Sequence, residues 1–227
     1  MKRLHGKWGD LGVRIISALV LLAIGMIAVL SGTIIFSVFV LIVVLIGIWE
    51  LVQMGRFKSA NVGFAFGDFF LLSGYAFFLC LAAVSLIFLH AGLDIIGVGY
   101  LILLVIVTDT LGYFVGRIVG GKKFWPSISP KKTWAGILGG WAGVAVLALL
   151  FSSLDIMQGI SPLMFVLFSV AMSFASQMGD IAESALKRRM GVKDSSNIIP
   201  GHGGVLDRFD ALLAASVIML GLIFSLI

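Results

Sequence analysis

The sequence predicts an all-α protein, a polytopic transmembrane helical bundle of about seven spans. Hydrophobic residues make up 60% of the 227 residues and charged residues only 12%, and the mean hydropathy is +1.16. Apolar stretches of about 20 residues, the length that crosses a bilayer as a helix, recur along the whole chain. The alternating pattern typical of a membrane β-barrel is absent from the sequence. We therefore expect helices, which satisfy their own backbone hydrogen bonds in lipid.

Seven stretches of the sequence meet the length criterion for a span. They are 13–30, 33–51, 69–89, 95–119, 134–154, 162–183 and 211–227. A basic segment precedes the first stretch, as in a signal peptide, but no small-residue cleavage site follows Leu30, so we expect an uncleaved span. We interpret 1–227 as one integral membrane domain, with N-terminal spans in 1–94 and a second half in 95–227. The single cysteine, Cys80, is expected to be a small buried residue.

The distribution of basic residues predicts the orientation of the chain. All 16 lysines and arginines lie before or at the start of the first span, or at and after the ends of the second, fourth and sixth spans. Because basic residues collect on the cytoplasmic side, the N-terminus is predicted in the cytoplasm, the C-terminus outside, and 117–133 and 184–210 in cytoplasmic loops. The opposite side carries only His90, Asp94 and Asp155. We expect a bacterial inner membrane protein, and nothing implies nucleic acid.

Three acidic residues lie in or beside the predicted spans, where a charge is costly and needs a partner, a wet cavity or a function. Asp109 shares a helix face with Tyr113 and Arg117, which favours a functional role over a structural pair with Arg117. Asp180 ends a polar series on its helix and is expected to be a site residue. For Glu183, an exposed pair with the lysine four residues later explains the pattern equally well.

The spacing of three glycines, Gly112, Gly116 and Gly120, predicts close packing of the fourth span against another helix.

Two carboxylates, Asp207 and Asp210, stand three residues apart at the entrance to the last span, so a helix would present both on one face. Together with Asp180 they predict a Mg²⁺ site, because this ion binds one or two carboxylates together with water and substrate phosphates. The alternative is that acidic residues here stabilise a helix N-terminus.

Two polar segments complete the candidate site. The segment 200–204, PGHGG, can bring backbone N–H groups close to an anion. Its histidine, His202, could act as an acid or base, as a phosphate ligand, or only as a hydrogen-bonding residue of the loop. The segment 129–133, SPKKT, supplies two ammonium groups and two hydroxyls, or else anchors lipid headgroups. These segments and the acids predict a metal-assisted reaction between a lipid phosphate and a soluble polyphosphate.

The stretch 184–210, SALKRRMGVKDSSNIIPGHGGVLDRFD, resembles the signature of the phosphatidate cytidylyltransferases, also called CDP-diacylglycerol synthases. That signature reads S-x-x-K-R, four residues, then K-D-x-S-x-x-I-P-x-H-G-G-x-x-D-R-x-D, and the stretch fits it throughout. The segments 109–121 and 129–136 are similar to the same family, as is Trp49-Glu50. The resemblance implies transfer of a cytidylyl group from CTP to phosphatidic acid at the bilayer, giving CDP-diacylglycerol and pyrophosphate, with 95–227 as the catalytic half. It also implies Mg²⁺, and it leaves open a second, monovalent cation such as K⁺.

The resemblance assigns roles to the residues that match the signature. Asp180, Asp207 and Asp210 are expected to hold the metal, and with Lys187 and Arg188 they form the expected catalytic set. The residues expected to bind substrate are Ser129, Lys131, Lys132, Thr133, Ser184, Lys193, His202, Gly203, Gly204, Arg208 and Asp109. Other lipid acceptors, and an ion-coupled transporter that uses Asp109 and Asp180, are the alternative functions. A homodimer is left open.

Overall fold

The computed structural model describes residues 5–153 and 161–226, with side chains in 12–153 and 161–221. Within these residues the chain forms six helices and one two-stranded hairpin. The helices are α1 His5–Leu30, α2 Thr33–Asn61, α3 Phe66–Val119, α4 Trp134–Ser152, α5 Pro162–Met190 and α6 Leu206–Leu226. The strands are β1 Lys123–Trp125 and β2 Ser129–Thr133, and they pair antiparallel.

The predicted helical membrane fold is confirmed in its main features. Helices α1 to α5 are long and apolar enough to cross a membrane. Each of the seven predicted spans lies in a helix, except that Leu154 and Ile227, like Asp155, lie outside the described residues. The number of crossings and their direction remain predictions. Cys80 differs from the prediction, since it lies exposed on the outer surface of α3.

Helix α3 contains two predicted spans, 69–89 and 95–119, which meet at Asp94. This residue has φ 52° and ψ −149°, a conformation outside the helical region that residues other than glycine rarely adopt. The backbone leaves the helical conformation there, as expected for a connection between two spans.

One end of the bundle closes around His90, a buried residue that lies one turn before this kink. Its Nε2 atom lies 3.0 Å from the carbonyl oxygen of Val29, and its Nδ1 atom lies 3.2 Å from the hydroxyl of Thr33. The imidazole stacks on Phe36 with ring centroids 4.4 Å apart. These contacts join the α1–α2 connection to the kink of α3.

The basic segments meet at the other end of the bundle, which we call the basic end. The buried carboxylate of Asp68, at the start of α3, lies 2.7 Å from Nζ of Lys58 and 2.8 Å from Nε of Arg189, which come from α2 and α5. On α1, the hydroxyl of Ser17 donates to the carbonyl of Pro200 at 3.0 Å. The contacts therefore bring together the segments that the charge pattern placed on one side.

The β1–β2 hairpin is a correction to the all-α prediction, because it forms inside the segment 117–133. Lys123 pairs with Thr133, and Trp125 pairs with Ser129. Strands this short carry no alternating pattern that sequence periodicity could reveal. The hydroxyl oxygen of Thr133 accepts the N–H of Gly136 at 3.2 Å, so the hairpin also caps α4.

Glycines bring α3 and α4 to backbone distance, which confirms the packing role predicted for Gly112 and Gly116. A Cβ atom on Gly136 would lie 2.5 Å from the carbonyl oxygen of Gly112 and 3.3 Å from Cα of Gly116. Gly120 differs from the prediction, because with φ 66° it ends α3 instead of packing against a helix.

We predict that Gly136→Ala lowers the free energy of unfolding by about 1–3 kcal/mol, because the new methyl group meets backbone that cannot move aside. The matched control is Gly99→Ala in α3, where a Cβ atom meets nothing within 4 Å. That change should leave stability unchanged or raise it by up to about 1 kcal/mol. Unfolding of both variants in detergent, titrated with denaturant, measures the difference. Equal stabilities would contradict the close contact of α3 and α4.

Candidate active site

A groove of about 600 Å³ opens at the basic end between α3, the hairpin and the start of α4. Its wall contains four residues predicted as substrate ligands, which are Asp109, Lys131, Lys132 and Thr133. Lys123 of β1 lines it too. The structure thus brings an acid and three ammonium groups around one concave space, and the glycines of the α3–α4 contact keep that space open. Such a groove suits a polyanion.

Arg117 lines the groove beside Tyr113. Its Nη1 atom donates to the phenol oxygen of Tyr113 at 2.7 Å, and its guanidinium lies 5.9 Å from the centre of that ring. Among the described residues no ion pair joins Arg117 to Asp109, so the structural pair considered from the sequence does not form. Asp109 is left free to interact within the groove, where it lies in electrostatic range of Lys132 and Asp180.

Lys132 connects the groove to the acids of α5. Its Nζ atom lies 2.6 Å from Oδ2 of Asp180 and donates to the carbonyl of Gln177 at 3.3 Å. The side chain of Gln177 is fixed in turn by Trp141, whose indole N–H donates to Oε1 at 3.0 Å. Ser184, another predicted ligand, lies beside Asp180 with its hydroxyl 3.4 Å from Oδ1. Asp180 and Ser184 therefore lie beside the groove, behind Lys132 and Gln177, which line it.

Four acids lie together where α5 contacts α6, and we call Asp180, Glu183, Asp207 and Asp210 the acidic cluster. Lys187 lies among them, with Nζ 3.1 Å from Oε2 of Glu183 and in a short ion pair with Oδ1 of Asp207. The sequence suggested an exposed Glu183–Lys187 pair. The pair does form, but the prediction that it is exposed is wrong, because both residues are buried.

Asp207 is held by donors at both carboxylate oxygens. In addition to Lys187 at Oδ1, its Oδ2 atom accepts the backbone N–H of Ser195 at 2.9 Å and that of Gly204 at 2.8 Å. The Ser195 hydroxyl lies 2.9 Å from the same oxygen. As a metal ligand, Asp207 would have to release one of these donors.

Glu50 is a site residue for which the sequence analysis made no assignment beyond the family resemblance. It lies on α2 and is completely buried, and its carboxylate accepts the backbone N–H groups of Val205 and Leu206, each at 2.8 Å. The hydroxyls of Ser195 and Ser196 donate to it at 2.9 and 2.5 Å. A lone acid inside the apolar run 33–51 was the available signal, because a charge at that depth needs partners.

The glycine loop 200–204 lies against carboxylates of the protein. A Cβ atom on Gly203, which has φ 86°, would lie 2.8 Å from Oδ2 of Asp207, and one on Gly204 would collide with Ser195 and Glu50. No side chain fits at either position, so both residues have to be glycine. Of the N–H groups that were expected to face a substrate phosphate, that of Gly204 binds Oδ2 of Asp207, and those of His202 and Gly203 donate to the carbonyl of Ile199.

The predicted phosphate-binding cations of 184–210 lie outside the groove wall and stabilise the loop. Arg208 donates to the carbonyl of His202 from Nε at 3.0 Å and from Nη2 at 2.6 Å. Arg188 donates to the carbonyl of Val192 at 3.1 Å, at the end of α5. Lys193 is exposed on the loop surface. Arg188 uses one nitrogen and Arg208 uses two for these contacts, so each guanidinium keeps N–H groups that can bind a phosphate.

His202 contacts α1, where its Nδ1 atom lies 2.7 Å from the hydroxyl of Ser17. Burial, together with the charges of Arg208 and Arg14, lowers the pKa of His202. The imidazole is therefore neutral near pH 7, which favours its interpretation as a hydrogen-bonding residue of the loop.

The donors of the acidic cluster suit a hard divalent cation. Among the described residues no three His, Cys, Asp or Glu side chains form a group that could hold a metal ion. Mg²⁺ does not require such a group, because water and phosphates complete its coordination. Both carboxylate oxygens of Glu183 are buried, with Nζ of Lys187 3.1 Å from Oε2, and the side chain of Asp180 is 40% exposed. Carboxylate oxygens with unused coordination capacity are therefore present.

Comparisons with known proteins identify the family of this chain. The profile of the cytidylyltransferase family matches residues 66–226. The phosphatidate cytidylyltransferase of Bacillus subtilis (strain 168) is 49% identical over 106 residues, which cover 47% of this chain and 39% of the relative. Its namesake in Haemophilus influenzae (strain Rd) is 45% identical over 119 residues, covering 51% and 41%, and that of Brucella abortus (strain 9-941) is 46% identical over 122 residues, covering 52% and 44%.

The matched part of the chain thus spans about two fifths of the length of these curated relatives. The family profile covers well over half of the chain and includes the groove and the acidic cluster. The chain therefore belongs to the cytidylyltransferase family.

Proposed function

We propose that this protein transfers the cytidylyl group of CTP to phosphatidic acid, giving CDP-diacylglycerol and pyrophosphate. One observation carries the proposal: a cationic groove is joined to a carboxylate cluster by Lys132, whose Nζ lies 2.6 Å from Oδ2 of Asp180. Cations that bind phosphates and acids that bind a metal are the two elements that phosphoryl-transfer sites combine. The names of the relatives give the substrates.

The groove would hold the triphosphate of CTP. Lys123, Lys131 and Lys132 line it from three points of the hairpin, so they can neutralise the charge of the phosphates as pyrophosphate departs. An oxygen of the lipid phosphate forms the new bond to the α-phosphorus, and the bond from that phosphorus to the bridging oxygen breaks. A phosphomonoester has a second pKa near ~6, so the attacking oxygen is already ionised near neutral pH. No general base is assigned.

Asp180 and Asp210 would hold Mg²⁺, with Glu183 buried beside them and Asp207 available only if Lys187 moves away. When bound, the ion would polarise the phosphates and offset their charge. A second, monovalent cation such as K⁺ remains a prediction without a residue assigned to it.

The membrane arrangement is part of the proposal. The seven predicted spans would cross a bacterial inner membrane with the N-terminus and the basic end in the cytoplasm and the C-terminus outside. Contacts of Asp68 and Ser17 at the basic end support this arrangement, since they gather the basic segments together. CTP would then reach the groove directly from the cytoplasm. A homodimer remains a prediction.

The reaction is tested with the purified full chain in detergent. We expect release of pyrophosphate from CTP only when both phosphatidic acid and Mg²⁺ are present, together with formation of CDP-diacylglycerol. A panel of other phosphorylated lipids separates phosphatidic acid from a different acceptor. A folded protein that binds CTP but uses only another lipid would overturn the assignment of phosphatidic acid, and absence of CTP binding would overturn the proposal as a whole.

We expect Asp180→Asn to lower kcat on the order of a hundredfold, because the variant loses a carboxylate that faces the transferred phosphate. The Mg²⁺ concentration for half-maximal rate should rise with it. Asp94→Asn is the matched control, since it removes an exposed acid at the opposite end of the bundle. Steady-state kinetics with a Mg²⁺ titration measures both effects. An unchanged kcat and an unchanged Mg²⁺ requirement would remove Asp180 from the site.

We expect Glu50→Gln to lower the free energy of unfolding by about 1–3 kcal/mol, because an amide cannot accept at both ends the hydrogen bonds that the carboxylate accepts. The loop should loosen, so that trypsin cleaves faster after Lys193. Ser196→Ala, which removes a single donor, is the milder control. Cleavage at the wild-type rate in Glu50→Gln would mean that Glu50 does not anchor the loop.

A further inference from the structure

Helix α1 contacts the rest of the bundle through polar groups near its two ends. At one end, the carbonyl oxygen of Val29 lies 3.0 Å from Nε2 of His90. At the basic end, Ser17 is the one side chain of α1, within the described part of the chain, that forms a hydrogen bond to another element. The apolar side chains of Leu19 and Leu22, between these two points, are exposed. The polar contact of α1 at the basic end therefore centres on Ser17.

The hydroxyl of Ser17 contacts the turn 199–203, which belongs to the candidate site. Its oxygen lies 2.7 Å from Nδ1 of His202, and it has two carbonyl acceptors at 3.0 Å, those of Pro200 and Arg14. When Nδ1 carries the proton, the imidazole donates to Ser17 and the hydroxyl donates to Pro200, so both hydrogens are used. Ser17 thus bonds to a side chain and to a backbone group of the same turn.

Backbone packing reinforces this contact. The stem of Arg14 lies against Gly201, where a Cβ atom would lie 2.6 Å from Cγ of the arginine. Gly201 has φ 74°, a conformation that favours glycine. Arg14 and Ser17 are three residues apart and share a face of α1. The turn therefore packs directly against that face.

The turn is fixed internally by its own hydrogen bonds. The carbonyl of Ile199 accepts the N–H groups of His202 and Gly203 at 2.9 and 3.1 Å, and the N–H of Ile199 donates to the carbonyl of Gly203 at 2.8 Å. The next residue, Gly204, donates its N–H to Oδ2 of Asp207 at 2.8 Å. A movement of the turn would therefore displace a donor that orients an expected metal ligand.

His202 connects this turn to two helices. Its side chain bonds to α1 through Ser17, and its carbonyl accepts two bonds from Arg208 on α6, at 3.0 and 2.6 Å. Arg208 is the neighbour of Asp207 in the chain. The contact of α1 is thus transmitted to the first turn of the helix that carries the acid.

We propose that Ser17 is a positioning residue of the site: through His202 it fixes the turn 199–203, and thereby the Gly204 N–H that orients the carboxylate of Asp207. Helix α1 lies outside the residues 66–226 that match the family profile, so the similarity gives it no such role. The effect on catalysis rests on the proposed function, whereas the hold on the turn does not.

Hydrogen–deuterium exchange of the purified full chain in detergent, without metal or substrate, tests the hold on the turn. We expect Ser17→Ala to speed exchange of the amides in 199–207 several-fold, and Ser17→Thr, which keeps the hydroxyl, to exchange like the wild type. Alanine is a good helix former, so α1 itself should not weaken. Ser31→Ala is the matched control, since its hydroxyl donates to the nearby carbonyl of Ile27. Unchanged exchange of 199–207 in Ser17→Ala would overturn the proposal.

Kinetics test whether this hold matters for the reaction. We expect Ser17→Ala to lower kcat about fivefold, below the roughly tenfold or larger loss that follows removal of a residue bonded directly to a metal ligand. The Mg²⁺ concentration for half-maximal rate should rise, and the KM for CTP should stay unchanged, because Ser17 does not line the groove. Ser17→Thr should restore both values. Altered stability with wild-type kcat and Mg²⁺ dependence would make Ser17 a structural residue only.

A double-mutant cycle tests whether Ser17 acts through His202. If it does, Ser17→Ala should speed exchange of 199–207 less in the His202→Ala background than in the wild type. Equal effects in both backgrounds would contradict this route. If the wild type releases no pyrophosphate, the proposed function fails, while faster exchange of 199–207 in Ser17→Ala would still support the hold on the turn.

Discussion

Glu50 is completely buried and the side chain of Asp207 is only 7% exposed, and burying two carboxylates is costly unless their oxygens receive hydrogen bonds. Backbone N–H groups and serine hydroxyls from 195–206 offset this cost, because they bind both acids at 2.5–2.9 Å. Because Glu50 belongs to α2 and Asp207 to α6, the loop becomes a fixed connection between distant helices. The glycines of this loop follow from the same constraint, since a Cβ atom on Gly203 would meet Asp207 and one on Gly204 would meet Glu50.

The charges of the acidic cluster are balanced by two lysines from different parts of the chain. Lys187 lies between Glu183 and Asp207 on the α5–α6 contact, and Lys132 reaches Asp180 from the hairpin. Each lysine is held by the acids it neutralises, so neither can be moved without changing the charge of the cluster. Lys132 therefore both lines the groove and pairs with an acid of the cluster. Under the proposed function, a triphosphate in the groove would compete with Asp180 for this ammonium group and leave the carboxylate available to a metal.

The sequence predicted those parts of this structure that depend on residue type and spacing. Apolar length located the helices, small residues at four-residue spacing located the α3–α4 contact, and the basic segments were correctly grouped at one end. The sequence could not reveal which hydrogen-bond partner each polar or charged group would contact. Arg208 and Gly204 are examples, because each has the chemistry of a phosphate ligand but is bonded to the loop. Asp68 was overlooked for the same reason, since its importance comes from two cations that are distant in sequence.

A transfer between a soluble nucleotide and a lipid must bring together two molecules that occupy different phases. Helix α5 has the composition to do this, because Gln177 lines the polar groove, Asp180 pairs with Lys132 beside it, and alanines line an apolar cavity on another face of the helix. Among the five apolar helices it is also the least hydrophobic, as expected for a helix that does not face lipid on all sides. Under the proposed function, the groove that holds the nucleotide and the expected metal ligand Asp180 meet within one turn of this helix. Their alignment then depends on one rigid element, which is the condition under which proximity contributes most to rate.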